Sequence, residues 1–135
     1  MSYPIMDIEG IGAVYAEKLK AAGLTTTQAL LEAATTPKAR KELAAATGLD
    51  EARILKWANM ADLMRIKGVG EEYSELLEAA GVDTVKELKT RVAANLTKAM
   101  ADVNEKKKLV RALPTESMVE KWIAQAKELP PTLTY

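Results

Sequence analysis

Residues 8 to 24 read IEGIGAVYAEKLKAAGL, and residues 66 to 82 read IKGVGEEYSELLEAAGV. Each stretch has two glycines one residue apart, a run with helical spacing, and then a third glycine. Six of the chain's seven glycines fall in these two stretches. Gly10, Gly12 and Gly23 match Gly68, Gly70 and Gly81 at a constant shift of 58. The same shift pairs Tyr15 with Tyr73, Ala16 with Ser74, Leu19 with Leu77, Ala22 with Ala80, Thr26 with Thr84 and Leu30 with Leu88. So many coincidences at one offset mark an internal repeat.

The repeat extends beyond the glycines. Gly48 matches Asn104 at a shift of 56, and both residue types tolerate the left-handed conformation that ends helices. Trp57 matches Trp122 at a shift of 65, which implies an insertion in the second copy within EKKKLVRALP. Each unit thus reads as a hairpin, a helix, a short helix, a helix and a Trp-bearing helix.

Boundary signals agree with that order. Helices over about 13 to 22 and 71 to 80 stop at Gly23 and Gly81. Thr25 with Gln28, and Thr84 with Glu87, have capping-box spacing. Thr36-Pro37 opens KARKELAAAT, and Asp50 stands before EARILKWANMADLMRI. There Ile54, Trp57, Ala58, Ala61 and Leu63 form an apolar stripe. Ser117 with Glu120 opens the last helix, and Pro130-Pro131 end it. The sequence predicts an all-α protein, 1–135, made of a first unit (5–64), a second unit (65–129) and an extended tail (130–135).

Composition narrows the function classes. Of 135 residues, 48% are apolar and 28% charged, ordinary values for a globular chain. There is no cysteine, which removes disulfides and thiolate metal sites, and no histidine, which removes the usual neutral-pH base. Ser2, Ser74 and Ser117 are the only serines, and nothing in the chain would activate them. The expectation is a non-enzyme without a metal. MSYPIMDIEG lacks the pattern of a secretion signal, and no apolar run approaches membrane-spanning length, so the expected place is the cytoplasm, away from membranes.

The turns have physical requirements. Gly10 and Gly12 permit dihedrals closed to other residues and close backbone approach. Ile11 and Val69 point inward, Ala16 and Ser74 let helices approach, Trp57 and Trp122 pack in the core, and Tyr15 and Tyr73 lie between helices with wet hydroxyls. An apolar–x–Gly–apolar–Gly turn followed by a helix with a small residue four positions on resembles the helix-hairpin-helix superfamily. The hairpin residues are Gly10, Ile11, Gly12, Gly68, Val69 and Gly70. The resemblance implies two tandem units of a kind that commonly holds the DNA backbone without reading sequence. In some relatives hairpin carbonyls also hold a monovalent cation, the one cofactor the resemblance implies. More narrowly, the whole chain, down to VNEKKKLVRALP and ELPPTLTY, resembles an uncharacterised bacterial two-repeat family, domain of unknown function 4332.

Charge argues with that role. Lysine plus arginine equal aspartate plus glutamate at 19 each, whereas polyanion binding draws its affinity from neutralised phosphates. Glu71 and Glu72 stand where a phosphate would meet the second hairpin; there they favour the helix dipole and repel a polyanion. Basic candidates for nucleic-acid or partner contact are Lys18 and Lys20 after the first hairpin, and Arg65 and Lys67 before the second. A further basic segment, 84 to 111, carries Lys86, Lys89, Arg91, Lys98, Lys106, Lys107, Lys108 and Arg111. It could meet an acidic partner or a second copy head to tail, or it could be a solvated lysine face. Two readings stand: a protein-binding or scaffold module, with a protein partner or a second copy of itself, favoured by charge, and a weak sequence-independent nucleic-acid binder. The short apolar-aromatic ends, SYPI and PPTLTY, are expected to fray, to zip together, or to dock on a neighbouring molecule.

Overall fold

The computed structural model describes residues 2–135. Among these the protein is all-helical, with no strand: α1 (Ala13–Ala21), α2 (Thr27–Ala33), α3 (Pro37–Thr47), α4 (Glu51–Leu63), α5 (Glu71–Ala79), α6 (Val85–Leu88), α7 (Ala93–Lys107) and α8 (Glu116–Glu128), preceded by a 3-10 turn at Ile5–Asp7. None of these helices is long and apolar enough to cross a membrane.

Short polar caps set the helix starts. Thr26, Thr36, Thr84 and Thr115 each accept a hydrogen bond from the N–H three residues on, at 3.0–3.2 Å. Two of these differ from the expected caps. Thr25 gives way to Thr26 because the Thr25 carbonyl is taken by the Ile5 N–H at 3.0 Å, which holds residue 25 outside the helix. Ser117 gives way to Thr115, whose extended backbone puts its hydroxyl over the first turn of α8. Asp50 occupies the cap position of α4 without a side-chain bond.

The helix ends repeat at both third glycines, where Leu24 N–H reaches the Leu19 carbonyl at 2.9 Å and Val82 N–H reaches that of Leu77 at 2.8 Å. Gly48 ends α3 in the left-handed conformation. Asn104 does not end α7; the helix runs on to Lys107, and Lys108 takes the left-handed turn at φ 51°. Asn104 instead exchanges two hydrogen bonds with the Val110 backbone, at 3.0 and 3.3 Å. That side chain pins the start of the extra loop, 109 to 115, whose two-residue counterpart in the first half is 49 to 50.

Each glycine turn is closed from behind by a tryptophan. Gly10 has φ +93° and Gly68 φ +96°; a methyl group on them would lie 3.4 Å from Trp57 Nε1 and 3.2 Å from Trp122 Nε1. The turns carry the same bond, Ile11 N–H to Ile8 carbonyl (3.1 Å) and Val69 N–H to Ile66 carbonyl (3.0 Å). Tyr15 tilts against Trp57 and Tyr73 against Trp122, each with ring centroids 5.2 Å apart. Ile11, Val69, both tryptophans and Ser74 are buried, Ser74 donating to the Glu71 carbonyl at 3.0 Å. The Tyr73 hydroxyl donates to the Ala112 carbonyl at 3.1 Å in an exposed bond.

Buried side chains form two clusters, one built from residues before Leu63 together with Met64 and Leu133, the other from Leu63 to Ala126. They meet at the end of α4, where Leu63 belongs to one and Met64 to the other. Asp62 stabilises this junction. One carboxylate oxygen takes the Arg65 guanidinium at 2.7 Å, and the other takes the Val85 N–H at 2.8 Å, starting α6. Both side chains are nearly enclosed, so removing either partner strands a buried charge at about 3–5 kcal/mol. The corresponding N–H in the first half, at Thr27, goes to the Tyr3 carbonyl at 2.8 Å. Arg91–Glu87 is a half-exposed i,i+4 pair, worth about 0.3–0.5 kcal/mol.

Neither end zips to the other. Residues 3 to 5 pair with 25 to 27. The extended 130–135 segment crosses back onto the first half: Thr134 N–H donates to the Thr35 carbonyl at 2.8 Å, and Tyr135 Oη to Asn59 Oδ1 at 2.8 Å.

Three outcomes are expected. Gly68→Ala forces a side chain into a glycine-only conformation against Trp122 and lowers stability in urea unfolding by at least about 1–2 kcal/mol. Gly70→Ala changes it by less than about 1 kcal/mol, because Gly70 is extended and nothing lies within 4 Å of an added methyl. The Tyr135 hydroxyl is pushed up to about 12 by burial, then by Asp83 and Asp62, against a smaller opposing effect of Arg40. Although the residue is 65% exposed as a whole, its hydroxyl is the end tied to Asn59. A raised folded value means this contribution is whole below the ordinary tyrosine range and lost as pH climbs through about 12. An alkaline absorbance titration should show a late phase near that pH that Tyr135→Phe deletes.

Candidate functional site

The two glycine turns and the helix starts behind them are the repeated surface feature of the molecule. At both, the second glycine is extended and its surroundings are open: Gly12 has φ −87° and Gly70 φ −107°, and a methyl group on either would meet nothing. These positions do not need glycine for their dihedrals. Their bareness leaves the first N–H groups of α1 and α5 uncovered by side chain, as anion-binding helix starts are.

What surrounds the two starts differs. The first is apolar and open, with Ala13 exposed, Val14 70% exposed and no acid in the opening turn of α1. The second is walled by the extra loop. Arg111 donates from its backbone N–H and its guanidinium to the two oxygens of Glu72, each at 3.2 Å. With Tyr3, Gly70, Glu72 and Tyr73, Arg111 lines an open pocket of about 620 Å³. The hydrogen bonds from Arg111 hold the Glu72 carboxyl below the usual carboxylate range.

The halves share an acidic surface. The Glu71 carboxyl is pushed up by burial and then by Glu9, Asp7 and Glu72, so acids preceding the first turn face the helix that follows the second. Glu75 is pushed up by burial, then by Glu9, Glu71 and Glu78, against an opposing pull from Lys56. Lys56 reaches Glu78 at 3.7 Å. Glu9, Glu75, Glu78, Lys56 and Lys107 line one cleft, so the basic end of α7 folds beside these acids.

The basic candidates scatter. Arg65 is spent on Asp62 and the Pro130 carbonyl, Arg91 on Glu87 and the Gly81 carbonyl, and Arg111 on Glu72. Lys67 is exposed, but its N–H and carbonyl are clamped by the Gln125 amide at 2.9 and 3.3 Å. Lys18 and Lys20 are exposed in the last turn of α1, away from its start. Lys86 lies by the 130–135 segment, Lys89 just past α6, Lys98 exposed on α7, and Lys106, Lys107 and Lys108 exposed at its end. Lys107 and Arg111 approach the second turn; the chain does not gather the set into one patch.

For a cation held by hairpin carbonyls, the second turn fits less well than the first. The Ile8 and Ile66 carbonyls accept the same turn bond, but the Lys67 carbonyl also accepts from the Gln125 amide, whereas Met60 occupies the place corresponding to Gln125 and offers no donor. No group of three or more acidic side chains placed to hold a metal occurs among the described residues.

Asp7, Glu9 and Lys56 were not among the sequence candidates: Asp7 and Glu9 lie about sixty residues from Glu71 and Glu75, and Lys56 lies on another helix, α4. One signal was present: Glu9 occupies the repeat position of Lys67, so the first turn carries an acid where the second carries a base.

These features define an all-helical protein in which two tryptophan-backed glycine turns sit beside one acidic surface. The chain belongs to the family described as a domain of unknown function (DUF4332), whose model matches residues 9–129. Among curated proteins and among solved structures nothing matches the chain.

The acidic surface gives a signed pH effect. Because the Glu75 carboxyl is raised in the folded state, that state binds more protons than the unfolded one just above the ordinary carboxylate range. Its unfavourable contribution therefore grows as pH rises through that window. Glu75→Gln is expected to raise the urea midpoint at neutral pH, by less than about 1 kcal/mol for a screened site. The gain should shrink as the pH falls into the ordinary carboxylate range.

Proposed function

We propose that this protein is a cytoplasmic, non-catalytic protein-interaction module, built from two tandem helix-hairpin-helix units over 5–64 and 65–129. The tandem reading is supported by the matched turn bonds, the matched positive φ at Gly10 and Gly68, and the matched tryptophan–tyrosine pairs. The observation that carries the functional reading is the cleft in which Glu9 of the first turn meets Glu75 and Glu78 of α5, beside Glu71, whose carboxyl is raised by burial and then by Glu9, Asp7 and Glu72. Glu71 and Glu72 oppose a phosphate backbone at the start of α5, where hairpins of this kind would take one; the start of α1 carries no acid, and Glu9 precedes its turn. These carboxylates suit a basic protein segment instead, through charge complementarity that steers encounter and selects partners. The absence of histidine and cysteine from the sequence, and the structural engagement of Ser74, weigh against catalysis.

A second reading, weak nucleic-acid binding, draws on Lys106, Lys107 and Lys108 exposed together at the end of α7. Fluorescence anisotropy of labelled single- and double-stranded DNA, titrated from low to physiological salt, separates the two. The native chain is expected to leave both DNAs unbound, and Glu9→Lys with Glu71→Lys to create binding that weakens steeply with salt. Salt-sensitive micromolar binding by the native chain would overturn the protein-interaction reading. Loss of that binding on charge reversal at Lys106, Lys107 and Lys108 would then assign it to the end of α7.

A further inference from the structure

The 130–135 segment springs from the second half and is seated on the first. Past Pro130-Pro131 it runs extended by α3 and α4. Leu133 is buried in the first cluster, Thr134 bonds to the Thr35 carbonyl through both its N–H (2.8 Å) and its hydroxyl (3.2 Å), and Tyr135 donates to Asn59. Beneath it lies Arg40, only 4% exposed. Its guanidinium donates to two main-chain carbonyls, Ala34 at 2.9 Å and Thr134 at 2.8 Å, with the Tyr135 ring 5.7 Å above it. No carboxylate pairs with Arg40 among the described residues.

Arginine does not shed its charge. With the segment lifted, a buried cation loses one of its acceptors, Asn59 loses a donor, and the seat of Leu133 opens to water. The groove therefore requires an occupant of one chemistry: an extended strand with a buried aliphatic residue, a free carbonyl one residue on, and a phenol two residues on. We propose that this groove is a peptide-binding site, and that the 130–135 segment of a second copy fills it, so that two chains exchange tails. Three features favour exchange. The bonds of Thr134 and Tyr135 and the burial of Leu133 are made with the first half, with Thr84 and Lys86 of the second half alongside, so a neighbour's segment restores those first-half contacts with identical ones. Pro130-Pro131 keeps the arm extended rather than collapsed onto α8. Arg65 donates to the Pro130 carbonyl at 3.1 Å at its base, an exposed bond. The cis and trans arrangements then differ chiefly in effective concentration, so exchange grows with protein concentration. The groove lies apart from the acidic surface, and this inference stands or falls independently of the proposed function.

The chain has no cysteine, which makes crosslinking clean. Full-length Asn59→Cys and full-length Tyr135→Cys, carrying tags of different mass, are mixed and oxidised over a range of concentrations. The expected result is a mixed covalent dimer that increases with concentration, exceeds either variant alone, and is suppressed by a synthetic ELPPTLTY peptide. Sedimentation of the unmodified chain should show its mass rising from monomer toward dimer as concentration increases. A mixed dimer no more abundant than the single-variant background, or one indifferent to the peptide, would overturn the proposal, as would a monomer mass at every concentration.

Discussion

Each glycine turn is held shut by a tryptophan that arrives from the far end of the same half. Trp57 backs Gly10 and Trp122 backs Gly68, with a tyrosine tilted against each indole. A turn at φ near +95° has no intrinsic reason to persist in an isolated peptide. It persists because the last helix of each half delivers a large, nearly buried ring against the one residue type that lets it come so close. This long-range contact fixes where α1 and α5 begin and what their first turns face. The caps and helix ends are local and smaller in effect; they sharpen boundaries within a frame the two contacts have set.

The halves share this frame and diverge at its surface. The first turn is bare and apolar beyond Gly12, whereas the second is covered by the 109–115 loop, anchored by Asn104 and tied to Glu72 through Arg111. Between them lies the surface where Glu9 and Asp7 meet Glu71 and Glu75. The carboxyls there are raised first by burial and then by the neighbouring acids, at some cost to the fold. A fold that tolerates such crowding beside Lys56 and Lys107 has a surface suited to a basic partner.

The repeat was legible because glycine, tyrosine and tryptophan recur at fixed offsets and each has a structural need. The inward positions Ile11, Val69 and Ser74 followed from the turn itself. Thr25 and Ser117 were misassigned as caps because the deciding facts are non-local: a bond from Ile5 removes residue 25 from the helix, and an equally good hydroxyl stands at residue 115. Asn104 matched a helix-ending residue by type, yet its amide was needed to hold Val110. The shared acidic surface was hidden for a different reason. Glu9 and Glu71 come together only once both halves are folded and packed at α4. Arg40 stands in KARKEL without any local sign that its guanidinium will be covered by a residue ninety-four positions on.

The central claim, that the Trp-backed turns present an acidic protein-binding surface rather than a phosphate cradle, is tested most directly by amide chemical shifts. A ¹⁵N-labelled chain is titrated in parallel with a short DNA duplex and with a lysine-rich peptide at low salt. The account predicts that the peptide shifts the amides around Glu9, Glu71 and Glu75, while the duplex leaves Gly12, Gly70 and their following residues unmoved. Saturating, duplex-induced shifts at Gly12 and Gly70, with none from the peptide, would contradict it.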